Sequence, residues 1–220
     1  MNPTTPARRL FLIAVVLLGL AALLFPLRRM FLMAAPRCFA GHWHGCYDTE
    51  NGLVLMTVVG APLAVLLSWV LARVRHTEWR LTLAEVGLIY GTIPFVWMTL
   101  MPGPGAGVVP GRVSLVPLRD LVTMGPLGIG GNLLILAAVG FFAPIRFAAL
   151  ASLPRILALG AACSILIEVT QYVCRLDRVS SIDDVLVNAT GAALAALASR
   201  RWWRTAPAPA TTPAPSLPRS

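Results

Sequence analysis

Lysine is absent from this chain: all 18 basic residues are arginine, and only 12% of the 220 residues carry a charge. A soluble domain has about a quarter of its residues charged. That shortage, with 57% hydrophobic residues and a mean hydropathy of +0.77, excludes a water-soluble globular fold. An integral membrane protein is expected, folded as one compact, all-α bundle of transmembrane helices. A concentrated basic block is also missing. The arginines that make the net charge +9 are spread over every segment between the apolar runs, which argues against nucleic acid as a partner. They read instead as topology signals and contacts to membrane lipids.

Two further absences narrow the reading. Arg8 and Arg9 precede a long apolar run as in a signal peptide, but Pro26-Leu27-Arg28-Arg29 follows without an A-x-A cleavage site. A retained anchor is expected. Arg37 ahead of Cys38 likewise disfavours a lipoprotein cysteine. No inverted repeat is evident, which weakens a transporter reading.

A helix needs about 20 apolar residues to cross the hydrocarbon core of a bilayer. Six segments approach that length, at 10–27, 53–72, 81–101, 127–145, 156–173 and 184–199. The last is the shortest and is rich in alanine, a composition suited to close helix packing. With the N-terminus inside, eleven arginines fall on the cytoplasmic side and seven outside. Both termini are therefore expected in the cytoplasm of a multi-pass plasma-membrane protein. The chain divides into N-terminal helices over 1–84, a second helical unit over 85–200, and a Pro/Ala-rich tail over 201–220 expected to be disordered.

In that topology the loop at 28–52 lies in an oxidising compartment, and Cys38 and Cys46 read most simply as a disulfide. Two other readings stay open: free thiols, or a metal site using Cys38, His42, His44 and Cys46. The C-x3-H-x-H-x-C spacing fits no established zinc motif, and no cofactor is implied.

Polar groups are concentrated in "IEVTQYVCRLDRVSSIDDVLVNATG", residues 167–191, which holds four of the chain's nine carboxylates. Charges within membrane helices are costly and usually face the protein interior at a working site. Glu168 and Gln171, spaced i, i+3, share one face of a helix, and Arg175 continues it toward water. Asp184, Asn188 and Gly191, spaced i, i+4, i+7, form one stripe on the next helix. Asp183 is rotated about 100° from that stripe, so the two aspartates are expected to do different work. Glu168 and Asn188 lie ~6–8 Å inside their helix ends, and Asn132 arrives at a similar depth from the preceding helix. A polar pocket is expected there, rimmed by Arg175 and Arg178. Glu85, near the opposite end of its helix, should not belong to it. Blander readings exist for some members. Asp184 can serve as a helix cap beside Ser180 or Ser181. Asp177 can pair with Arg175 or Arg178 in water, and Asn188 can join helices by a hydrogen bond.

The same residues carry a family resemblance. "SILIEVTQ" (164–171) resembles the S-x-x-x-E-x-x-Q helix of VanZ-like membrane proteins, and "RVSSIDDVLVNATGAALA" (178–195) their R-x-x-D-x-x-D-x-x-x-N-x-x-G element. "GNLLILAAVGFFAPI" (131–145) and "SLVPL" (114–118) are similar to two further stretches of that family. Ser181, Ser114 and Ala138 depart from the acidic residue, asparagine and proline common there. The resemblance implies a bacterial plasma-membrane protein of the cell envelope, in a family whose namesake is associated with low-level teicoplanin resistance.

Two functional readings follow. In the first, a non-enzymatic membrane protein binds the headgroup of a lipid, a peptidoglycan precursor or a lipoglycopeptide in an outward-facing pocket. Glu168, Gln171, Asn132, Asp184 and Asn188 would read polar groups, and Arg175 and Arg178 phosphate or carboxylate. In the second, a membrane-embedded enzyme acts on a lipid-linked phosphate with Glu168 as general base. No serine, cysteine or histidine nucleophile stands in the constellation, so no catalytic residue is assigned.

Overall fold

The computed structural model describes residues 14, 18, 28, 32–36, 38–40 and 44–204. Apart from residues 14 and 18, the first apolar segment at 10–27 lies outside the described residues, as do His42 and the tail beyond 204. Seven α-helices and one small sheet are described. After the single turn α1 (His44–Tyr47) come α2 (Glu50–Arg75) and α3 (Trp79–Thr99). Strand β1 (Arg112–Ser114) leads into α4 (Leu121–Ile135) and α5 (Ala137–Arg146). Helix α6 (Leu153–Val173), strand β2 (Val179–Ser181) and α7 (Ile182–Ser199) complete the bundle. Five stretches are long and apolar enough to cross a membrane: α2, α3, α4 with α5, α6, and α7 with the 3-10 turn after it. They match the last five expected segments.

Local chemistry sets the boundaries. Thr49 caps α2 by accepting the Gly52 N–H at 3.1 Å, and His76 ends the helix in a left-handed conformation at φ 51°. Ser152 precedes α6, whose second residue is Pro154, a position where the missing N–H costs nothing. Ser181 caps α7 by accepting the Asp183 N–H at 3.2 Å.

The fourth expected span, 127–145, lies within the spanning stretch Leu121–Arg146, which is broken at two points. Gly125, at φ 68° and ψ 168°, breaks the first turn of α4, and Pro126 restarts the helix. A side chain at that backbone conformation would be strained, and proline at a first helical position is pre-organised. A second break falls at Leu136, and nothing in the structure explains it.

The shortest expected helix turns out to be the central one. Helix α7 packs on α4, α5 and α6, and 44% of its span is buried, against 11% for α2 or α3. Ala192 and Ala196 sit in a core with Ile135, Leu136, Val139, Ala143, Ile156 and Ile167. Gly191 meets the Leu133 carbonyl so closely that any Cβ would collide with that backbone. Small residues let the helix backbones touch, which is how helices associate where lipid is as apolar as leucine. Low hydropathy in α7 thus reflects protein contact rather than lipid contact.

All described connections of one kind gather at one end of the bundle. The loop after α3 folds back as β1 and pairs in parallel with β2, Arg112 against Val179 and Ser114 against Ser181. The Gly103 N–H donates to the Leu176 carbonyl and the Gly107 N–H to the Arg175 carbonyl, each at 2.9 Å. Cys38 and Cys46, joined by a disulfide with Cα atoms 4.8 Å apart, lie near this end, where the Trp97 indole donates to the Tyr47 carbonyl.

Candidate functional site

Beneath this loop cap lies a cavity of about 410 Å³, half of it polar in character within an otherwise apolar bundle. Its walls bring together Asn132, Glu168, Gln171, Arg178, Asp184 and Asn188, six of the seven residues expected to form the pocket. The seventh, Arg175, is not in the lining. Its backbone turns left-handed at φ 50°, and its side chain is exposed. Arg112 from β1 stands at the mouth instead, with Asp177. Asp177 was expected to pair with Arg175 or Arg178. The structure pairs it with Arg112 at 3.2 Å and gives its other oxygen the Gly105 N–H at 3.0 Å.

Each deep side chain is held by a different element. Glu168, 8% exposed, accepts the Ser181 N–H at 3.0 Å through Oε2, so the start of α7 is fastened to α6. The Gln171 amide donates to the Thr99 carbonyl at 2.9 Å, closing the end of α3 against α6. The Asn132 amide donates to Asp184 Oδ1 at 2.7 Å. Asn188, 1% exposed, donates to the Ser164 hydroxyl at 2.8 Å, but its Oδ1 has no hydrogen-bond partner among the described residues. Arg178 donates to the Met101 carbonyl through Nε at 3.4 Å and forms no ion pair within 4.0 Å among the described residues.

The adjacent aspartates do divide their work. Asp183, 1% exposed, takes three backbone donors: Leu118 N at 2.6 Å, Asp120 N at 2.8 Å and Leu121 N at 3.1 Å. It thereby caps α4 from a neighbouring helix, because Asp120 at the head of α4 makes no side-chain cap. Charge-assisted bonds of this kind are about twice as strong as neutral ones. Asp184, one residue later, faces the cavity. Asp120, which sequence reasoning did not single out, stands outside the cavity lining and supports it through Ser181. It accepts the Ser181 hydroxyl at 2.6 Å, and the hydroxyls of Ser114 and then Ser181 hold its carboxyl below the ordinary aspartate range. Arg112 and Asp177 were missed as cavity residues for a related reason. They reach it by a parallel strand pairing between distant segments, which leaves no local periodicity to read.

Glu85 lies at the opposite end, as expected, 3.2 Å from Arg75 and 3.9 Å from Arg146.

Residues 63–203, covering α3 to α7 and the whole cavity, match the VanZ/LLP1 family model. The chain belongs to the VanZ/LLP1 family. With five described spans, it is a multi-pass protein of the bacterial plasma membrane, and every cavity residue lies inside the stretch it shares with that family. No curated protein and no solved structure matches it.

Proposed function

We propose that this VanZ/LLP1 protein binds the polar headgroup of a membrane-resident envelope molecule in the cavity under its loop cap, facing the outside of the cell. The carrying observation is the polar lining of this cavity: Asn188 Oδ1 is buried with no hydrogen-bond partner among the described residues, and Glu168 and the half-buried Arg178 line the same space without an ion pair within 4.0 Å. Buried polar groups are nearly always paired, so an unpaired acceptor in the wall of a polar cavity supports a place for a ligand. The orientation is supported by the eleven-to-seven arginine bias and by the Cys38–Cys46 disulfide at the cavity end. Lipids, peptidoglycan precursors and lipoglycopeptides such as teicoplanin all present headgroups at that surface.

The test is direct. Neutralising Glu168 and Arg178 together should abolish headgroup binding by the purified protein and change teicoplanin susceptibility of cells that express it. Unchanged binding and unchanged susceptibility would sink the reading. A second reading, an enzyme on a lipid-linked phosphate, draws support from Glu168, a carboxylate in the cavity wall that keeps acceptor capacity beyond its bond from the Ser181 N–H. Turnover of a polyprenyl phosphate that is lost in Glu168→Gln would decide for it.

A further inference from the structure

The cavity charges are layered, and the layering identifies the class of headgroup. At the mouth, Arg112 and Asp177 satisfy each other at 3.2 Å. Below them, neither Glu168 nor Asp184 has an arginine within 4.0 Å among the described residues, and Arg178 has no carboxylate within that distance. The groups left over are two carboxylates and one guanidinium. A purely anionic headgroup would meet Arg178 but would be repelled by the two carboxylates, in a site where burial makes uncompensated charge expensive.

The free acceptors are more specific still. Among the described residues Asp184 Oδ1 accepts from Asn132 and Glu168 Oε2 from the Ser181 N–H, with the Ser180 hydroxyl also beside the Glu168 carboxylate, which leaves acceptor capacity on both carboxylates. Asn188 Oδ1, on a side chain only 1% exposed, is the third open acceptor. A primary ammonium carries three N–H donors and no acceptor. We infer that the ligand is a phospholipid with a primary-amine headgroup, its ammonium bound by Glu168, Asp184 and Asn188 and its phosphate by the terminal amino groups of Arg178. The inference rests on the headgroup-binding reading and assigns its ligand. A trimethylated amine offers no N–H donors and fails the match, so ethanolamine lipids are separated from choline lipids by hydrogen bonding and not by charge.

The test uses the full-length protein in neutral detergent, titrated with phosphatidylethanolamine, phosphatidylcholine and phosphatidylglycerol of identical acyl chains and read by native mass spectrometry. Phosphatidylethanolamine should bind at least about tenfold more tightly than the other two, given what hydrogen bonds to charged groups contribute. Glu168→Gln and Asp184→Asn should each erase that preference, while Arg178→Gln should weaken all three lipids. Because the comparison among lipids is made on the unaltered protein, it stands even if one variant fails to fold. Equal binding of the three lipids, or tightest binding of phosphatidylglycerol, overturns the amine assignment and leaves headgroup binding intact. Failure to bind any of them overturns this inference. If polyprenyl-linked and lipoglycopeptide probes also fail, the headgroup reading falls too. Water-soluble phosphoethanolamine should compete only weakly. If it bound as tightly as the lipid, the site would belong to a soluble aminoalkyl phosphate.

Discussion

The two ends of this bundle both carry carboxylates near arginines, and they treat them in opposite ways. At one end Glu85 is 40% exposed and sits between Arg75 and Arg146. That cluster ties α2, α3 and α5 together where water and lipid headgroups screen it. At the other end Glu168 is 8% exposed and has no cation beside it, although Arg178 lines the same cavity. A protein that needed only a structural charge there had an arginine at hand and did not pair it. The difference is one of pairing: Glu85 is held between two arginines, whereas Glu168 and Asp184 line the cavity with no arginine within 4.0 Å among the described residues, as the proposed ligand role requires.

Asp183 and Asp184 repeat the contrast within two adjacent residues, and Asp183 gives the largest expected effect. Asp183→Ala removes a buried carboxylate that accepts from three backbone N–H groups and should cost about 3 kcal/mol, read as a lower melting temperature in detergent. Asp184→Asn should leave that temperature nearly unchanged, since the amide can keep the contact with Asn132. Equal losses in the two variants would erase the distinction between a structural and a ligand-facing carboxylate.

Next in size is Gly191→Val. It drives a side chain into the Leu133 carbonyl beside the cavity wall and should destabilise by about 1–3 kcal/mol in the same melting experiment. At the far end, Glu85→Gln removes partly exposed ion pairs and should cost less than about 1 kcal/mol, with no effect on headgroup binding. A binding defect there would show that the two ends are coupled.

The smallest effect expected is a pH effect at Asp120. Its carboxyl is held low by the Ser114 and Ser181 hydroxyls, so its contribution to stability is present above the unfolded aspartate value. That contribution is lost as pH falls through the lowered folded value. Ser181→Ala removes the 2.6 Å bond to Asp120 and should therefore be less stable than the parent at neutral pH, with the gap narrowing on acidification. A gap that widens with acid would give the wrong sign.

What the sequence revealed depended on whether the signal was local. Glu168 with Gln171, and Asp184 with Asn188, were legible because helical spacing alone puts each pair on one face. Depth along the helix then placed Asn132 beside them. The different role of Asp183 followed from the same rotation. Arg112, Asp177 and Asp120 were not legible, because β1 meets β2 across more than sixty residues of chain and only the folded loop cap brings them together. Arg175 was misplaced by extending the α6 face past its end, where the left-handed turn points the side chain away. The Gly125-Pro126 break carried a signal in its dipeptide, since proline restricts the residue before it and glycine tolerates a positive φ. The central position of α7 hid behind its low hydropathy, which alanine and glycine lower for reasons of packing.

The central claim is that Glu168 is an uncompensated charge held for a ligand, and thermal unfolding of Glu168→Gln beside the parent protein tests it most directly. In neutral detergent without lipid, the variant should be at least as stable as the parent, because glutamine keeps the bond from the Ser181 N–H and removes a buried charge. Added phosphatidylethanolamine should raise the melting temperature of the parent and leave that of the variant unmoved. A variant markedly less stable than the parent without lipid, and stabilised by the lipid to the same extent, would show that Glu168 serves the fold and contradict the account.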